Sequence, residues 1–414
     1  MGGATEVPAP GERYLAGFML LGVLAGASNG VAKVVLPLYA AALHATPWQI
    51  GLVGGLQFAG MLLLSLPLGA LIDRHGSRLL FRIGCGGGVL LFLAGFSQAS
   101  TPWQLVACVV VFGLLNPFRM VSTQTEFLHL LPRIGAARAG WQRAAQSAGM
   151  FFVGPLLGAW LLGLAGYAHT FMLVAAGLCV TLLIGERVLS AAPPGRGGDA
   201  TPFIGRLLDQ FRVIGSRADL RRTMLIEFLG KVAMSYFTVF VILLAMRRFG
   251  MPPQQAAGLV TLQGAAFVLT LLAGGTLVAR WPEGRRYCSA FALLLGAELL
   301  LANPLVPAML WAGALLFGLG LGLQHLTSVA RFARLAQELG RGRTGGMFSL
   351  AGPSGGLVGA VLGGLLSQQL GTPAGFGLLA LLFLLQLGWE WRRGLHTCAC
   401  AGTGSYFHID KGRP

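Results

Sequence analysis

Long apolar stretches recur along the whole chain, and nothing else constrains the fold as tightly. A helix needs about 20 residues to cross ~30 Å of hydrocarbon. Twelve stretches approach or exceed that length: residues 14–39, 50–72, 79–96, 103–128, 145–164, 171–188, 223–246, 257–278, 287–301, 308–329, 348–370 and 374–391. Lipid offers the backbone no hydrogen-bond partners, so each stretch reads as a transmembrane helix. A chain of 414 residues that is 55% hydrophobic and only 11% charged, with mean hydropathy +0.71, is too apolar for a soluble globular protein. The expected fold class is an all-α membrane protein with twelve transmembrane helices.

The formal charge of +16 does not point to nucleic acid, because the arginines are dispersed in short loops between apolar spans. Arg74, Arg78 and Arg82 follow the second span, Arg133, Arg138 and Arg143 the fourth, Arg280, Arg285 and Arg286 the eighth, and Arg331 to Arg343 the tenth. These loops fall on one side. The opposite loops, at 44–47, 97–102, 166–170, 303–307 and 368–373, carry no Arg or Lys, with Arg247 and Arg248 as the exception. The positive-inside rule then predicts a multi-pass protein of the cytoplasmic (inner) membrane with both termini cytoplasmic.

Cys85, Cys108, Cys179 and Cys288 lie in or beside apolar spans, where free thiols act as small hydrophobes. The tail holds Cys398 and Cys400 with His396 and His408 nearby, a set that could bind a soft metal but lacks a zinc spacing, so no metal site is assigned. The first apolar run is too long for a signal-peptide core and reads as the first transmembrane helix. There is no phosphate-binding loop, nucleophile elbow or metalloprotease motif, so neither an enzyme nor an ATP-driven pump is expected, and no cofactor beyond a proton gradient as energy source.

One long connection divides the chain. The expected organisation is a cytoplasmic N-terminus at 1–13, a six-helix bundle at 14–188, a cytoplasmic linker at 189–222, a second bundle at 223–391 and a tail at 392–414. Within the linker, Phe203, Leu207, Leu208 and Phe211 have the spacing of a helix lying on the bilayer surface. The bundles are internal repeats. Pro47, Gln49, Leu56 and Gln57 recur as Pro253, Gln255, Leu262 and Gln263 at an offset of 206, and Gly69, Leu71 and Arg74 fall on Gly275, Leu277 and Arg280. Further on the offset is 205, where Gly113, Gly135, Arg138 and Gly140 fall on Gly318, Gly340, Arg343 and Gly345.

The loop after the second span reads Gly69-Ala70-Leu71-Ile72-Asp73-Arg74-His75-Gly76-Ser77-Arg78. Gly69, Leu71, Asp73, Arg74, Gly76 and Arg78 match the G-x-L-x-D-R-x-G-x-R signature between helices 2 and 3, so the chain resembles the major facilitator superfamily of secondary transporters. The resemblance covers residues 14–391. It implies two pseudo-symmetric six-helix bundles, a loop that latches the halves shut on the cytoplasmic side, and rocking around a midplane site. Leu115 to Arg119 resembles the opening of the family's helix-4 motif, whose Arg is linked to proton coupling, although the Gly expected four residues on is Thr123. Gly154-Pro155-Leu156-Leu157-Gly158-Ala159 resembles the helix-5 motif of proton-coupled exporters, with Ala159 in place of the second Gly.

The residues themselves agree with a cavity. Polar groups are costly inside lipid and usually face a partner or water. They concentrate in the first helix of every group of three: Asn29 and Lys33; Asn116, Arg119, Thr123 and Glu126; Glu227 and Lys231; Gln324 and His325. The remaining spans hold few, chiefly Gln57, Gln263 and Glu298. Asn29 and Lys33, Arg119 and Glu126, and Glu227 and Lys231 each share a helix face and could converge on a midplane site. Glu227 and Lys231, one turn apart, could form an intrahelical ion pair that only neutralises itself. The sharper expectation is that Glu227 or Glu126 exchanges a proton, since a low-dielectric cavity favours the neutral carboxyl and a cationic partner can reset it. His325 is expected to hydrogen-bond within the cavity.

The expected activity is proton-coupled efflux of a drug-like compound or metabolite by a monomer in the lipid bilayer. Uptake of a small anionic or zwitterionic solute or sugar is the alternative. A transport-dead receptor or scaffold is a remote third, because such a protein would be expected to lose the cavity charges and the signature loop.

Overall fold

A computed structural model describes residues 12–134, 141–189, 217–278, 280–339 and 341–402, and among these the regular structure is entirely helical. The helices are α1 (Glu12–Ala42), α2 (Pro47–Gly55), α3 (Ala59–His75), α4 (Ser77–Leu90), α5 (Pro102–Ile134), α6 (Trp141–Ala148) and α7 (Gly154–Val188), then α8 (Ala218–Phe249), α9 (Pro253–Leu277), α10 (Glu283–Ala302), α11 (Pro307–Leu339), α12 (Arg341–Leu370) and α13 (Thr372–Gly402). Local chemistry sets several ends. Thr46 and Gln49 form a reciprocal capping box at the start of α2, with Pro47 in its first turn. Gly76 ends α3 at φ 83°, a backbone angle a side chain would resist, and Gly250 closes α8 in the left-handed region.

Among the described residues ten helical stretches are long and apolar enough to cross a membrane. Two further observations bear on the expected twelve. The stretch Ala144–Val188 is 45 residues long, about twice what one crossing needs. It breaks at a single non-helical residue, Gly166 (φ 70°, ψ −177°), and there the chain doubles back along α1. Gly154 packs beside Gly30 on the way out, and just past the turn the Tyr167 hydroxyl donates to the Leu38 carbonyl at 3.2 Å. On the way back Val188 lies against Tyr14 and Gly17. The loop expected at 166–170 is therefore one residue, since glycine can turn where a side chain would clash. The second observation is α10, whose 20 residues include Glu283, Arg285, Arg286 and Glu298, yet which buries Tyr287, Phe291, Leu294, Ala297 and Leu301.

Other boundaries also move. The second span runs from Pro47 to His75 with a 3-10 turn at Leu56–Phe58, rather than over 50–72. Helix α8 begins at Ala218, inside the expected linker, and α13 continues to Gly402, past the expected end at 391. The linker's surface helix, the Cys398 and Cys400 side chains, and Gly135, Arg138 and Gly140 lie outside the described residues.

The packing repeats as the sequence does. In the first half α1 packs on α6 and α7, and α5 on α3 and α4; in the second, α8 packs on α12, and α11 on α9 and α10. Gly113 and Gly318, paired by the repeat, make equivalent approaches: a methyl group on Gly113 would lie 3.4 Å from Gln57 Cα, and one on Gly318 would lie 3.2 Å from the Gln263 carbonyl carbon. The halves meet along α2 with α12, α7 with α9, and α1 with α8. Among the described residues α12 packs far more on α2 than on α3, so this junction is tightest toward the Arg-poor face. A methyl group on Gly51 of α2 would sit 2.8 Å from Gly364 Cα of α12, too close for any side chain.

Candidate functional site

The groups that the sequence placed in α8 and α11 meet where the halves join. Glu227 is only 2% exposed. Its Oε1 lies 2.7 Å from His325 Nδ1 and 3.3 Å from Lys231 Nζ, one helical turn along α8, while Oε2 is buried with no hydrogen-bond partner. Gln324, beside His325 on α11, donates from Nε2 to the Ile226 carbonyl at 2.7 Å. Lys33 of α1 faces this cluster from the other half, near enough to Lys231 for their like charges to interact. Its ammonium lies over the rings of Phe58 and Phe151, 5.4 and 5.3 Å from the centroids. Phe151 contacts Phe267, which contacts His325, so aromatic rings connect the two sides. A small cavity lies here, lined by Lys33, Met150, Phe151, Pro155, Thr238, Val260 and Gln263, with room on the scale of one water molecule.

A second group forms within the first half. Arg119 is 3% exposed, and its Nη2 donates to Asn29 Oδ1 at 3.0 Å and Asn116 Oδ1 at 3.1 Å, while Nε has no partner. The Thr123 hydroxyl donates back to the Arg119 carbonyl. Arg119 is thus held by neutral amide oxygens.

Glu126 lies elsewhere along α5. It accepts a hydrogen bond from Ser77, at the start of α4 just past the signature loop. Sharing a helix face with Arg119 fixed its direction but not its depth, for seven residues span about 10 Å of helix.

The signature loop is placed as follows. Gly76 makes the turn; Arg78 donates from Nε and Nη2 to the Leu189 carbonyl at 2.9 and 2.5 Å, capping the end of α7; Arg74 is exposed. These bonds of Arg78 stay inside the first half. Gly69 and Asp73 fall within α3, but their surroundings lie outside the described residues.

The helix-5 motif sits at a π-helical turn, Gly149–Val153, with Gly154 and Pro155 opening α7. A methyl group on Gly154 would lie 2.6 Å from Gly30 Cα, and one on Gly158 3.2 Å from Val35 Cγ2, so the small-residue face packs on α1.

Sequence reasoning missed three features. The rings flanking Lys33 gave no signal, because Phe58 and Phe151 read as ordinary apolar residues. Arg222 of α8 and Glu390 of α13 form a buried two-pronged ion pair, with Arg222 also over the Tyr287 ring at 5.5 Å. Arg82 pairs likewise with Glu186, joining α4 to the end of α7. Each acid was visible as a charge near a span end.

A multi-pass helical protein made of two copies of one packing scheme, with an ion cluster enclosed where the copies meet, is by class a membrane transporter and not an enzyme. The chain belongs to the Major Facilitator Superfamily, whose sequence profile matches residues 18–300 and 223–393. It is 31% identical over 175 residues to the multidrug resistance protein MdtG of Serratia proteamaculans, a match covering 39% of this chain and 40% of that relative. The nucleoside transporter NupG has a similar solved structure, with a TM-score of 0.74 over 92% of this chain and 98% of that one at 13% identity. A bacterial homologue of the human lysosomal transporter Spinster, solved inward-facing and unoccupied, is similar at a TM-score of 0.73, over 92% and 97% of the two chains at 13% identity.

Proposed function

We propose that this transporter carries out proton-coupled efflux of a small organic solute across the cytoplasmic membrane, as a monomer with both termini in the cytoplasm. The halves 14–188 and 223–391 are the rocking units, and the cavity between them is the transport site.

The arrangement around Glu227 carries this reading. A carboxylate shared between Lys231 and His325, at the junction of the halves and with one oxygen unbonded, can take up a proton and release Lys231. Release of Lys231 changes the charge that faces Lys33 across the junction. Protonation and the contact between halves are then linked in one site. The export direction draws support from the partial similarity to MdtG and from the helix-5 motif around Gly154 and Pro155.

The test is transport in proteoliposomes with an imposed pH gradient. Wild-type protein should move its solute against the proton flow and dissipate the gradient. Glu227→Gln should lose gradient-driven transport by roughly tenfold or more while still inserting and binding solute. Full gradient-driven transport in that variant would overturn the role of Glu227, and solute flux in the same direction as the protons would reverse the assignment of direction.

A further inference from the structure

Lys33 is the cation that the Glu227 cluster leaves over. Glu227 is already shared by Lys231 and His325, whereas Lys33 contacts the Phe58 and Phe151 rings and has no carboxylate partner among the described residues. A cation–π contact offsets only part of the cost of holding an ammonium away from water.

Beside Lys33 in the cavity wall stands Gln263, 1% exposed, whose Nε2 is buried without any hydrogen-bond acceptor. The repeat makes that vacancy informative. Gln57, its counterpart in the first half, turns its own Nε2 to the Val53 carbonyl at 3.0 Å. Gln57 makes that bond within the 3-10 turn Leu56–Phe58, whereas Gln263 lies inside regular α9 and makes no such bond among the described residues.

Among the described residues the cavity therefore holds an ammonium with no carboxylate partner and an amide N–H with no acceptor, between largely apolar walls. We propose that, when the two halves move apart and widen this water-sized cavity, Lys33 and Gln263 bind the carboxylate of an organic acid, with the apolar part of that molecule along Phe151 and Val260. The subsite rests on the reading above that this cavity is where solute binds. An ammonium and an amide donor match the two oxygens of one carboxylate. The added negative charge also offsets the repulsion between Lys33 and Lys231, whose cluster holds Glu227 as its one acid among the described residues.

The experiment is thermal-shift titration of purified full-length protein with benzoate and 4-phenylbutyrate, using benzamide and benzylamine as neutral and cationic counterparts. The carboxylates should raise the unfolding temperature and the counterparts should not. Lys33→Met should weaken carboxylate binding roughly tenfold or more, the loss expected for one charge-assisted hydrogen bond. Should that variant fold poorly, Gln263→Glu provides a second reading. It puts a carboxylate from the protein itself beside Lys33, so the ligand-free variant should melt higher than wild type and no longer respond to the acids. Equal response to benzylamine, absence of any response specific to the carboxylates, or an undiminished response in Gln263→Glu would overturn the proposal. Carboxylate binding without proton-driven flux would remove the coupling proposed above and leave the subsite standing; proton-driven export of an amine, with no acid binding, would do the reverse.

Discussion

Arg222 and Glu390 show how a charged pair can be structural in a membrane protein. Both are buried, both forks of the guanidinium are used, and the pair ties α8 to α13. Removing one partner leaves the other charge without compensation, which costs about 3–5 kcal/mol in buried pairs. Glu390→Gln and Arg222→Met should each lower the unfolding temperature markedly, and the double substitution should recover much of the loss; additive losses would show that the pair is not the connection. Glu298 presents the opposite case. It is fully buried in α10, and neither carboxyl oxygen has a hydrogen-bond partner among the described residues. A polar group in that position costs free energy that an apolar group of similar size does not. Glu298→Met should raise the unfolding temperature, and a fall instead would mean that the carboxyl has a partner.

The seam between α1 and α7 is a property of elements rather than of single residues. Gly22, Gly26 and Gly30 recur every four positions on α1 and face Ala145, Gln146, Met150 and Gly154. Backbones this close gain dispersion contacts that larger residues would forbid. Gly154→Val should force the helices apart, costing about 1–3 kcal/mol from overpacking, and should be visible as a lower melting temperature in detergent. Much of this was legible beforehand: the apolar spans and the duplication follow from residue type and spacing, and the small residues around Gly154 and Pro155 from the resemblance to the helix-5 motif. What periodicity could not supply was depth and acceptor identity. Glu126 shares a face with Arg119 yet bonds Ser77, because a helix-face argument has no coordinate along the axis. The partner of Arg78 is the Leu189 carbonyl, and backbone oxygens leave no mark on sequence. Glu227, Lys231 and His325 were anticipated as cavity residues and do meet, since charges in lipid have few places to go.

Across the whole molecule, α2 and α12 hold the halves together by their small residues toward the Arg-poor face. Methyl groups built on Gly55 and present on Ala360 are 3.4 Å apart, close to the Cβ separation of a disulfide. The double variant Gly55→Cys, Ala360→Cys should therefore cross-link on oxidation, stop transport and regain it on reduction; transport that continues through the cross-link would mean that this seam does not open. A different kind of joint lies at Gly166. As at Gly76 and Gly371, the chain reverses at one residue here, and Val188 at the end of the returning arm is followed directly by the carbonyl that Arg78 grips. The outgoing arm, whose Pro155 and preceding turn form part of the cavity wall, and the returning arm, which ends at the Arg82–Glu186 fastening, thus share that one glycine as their pivot.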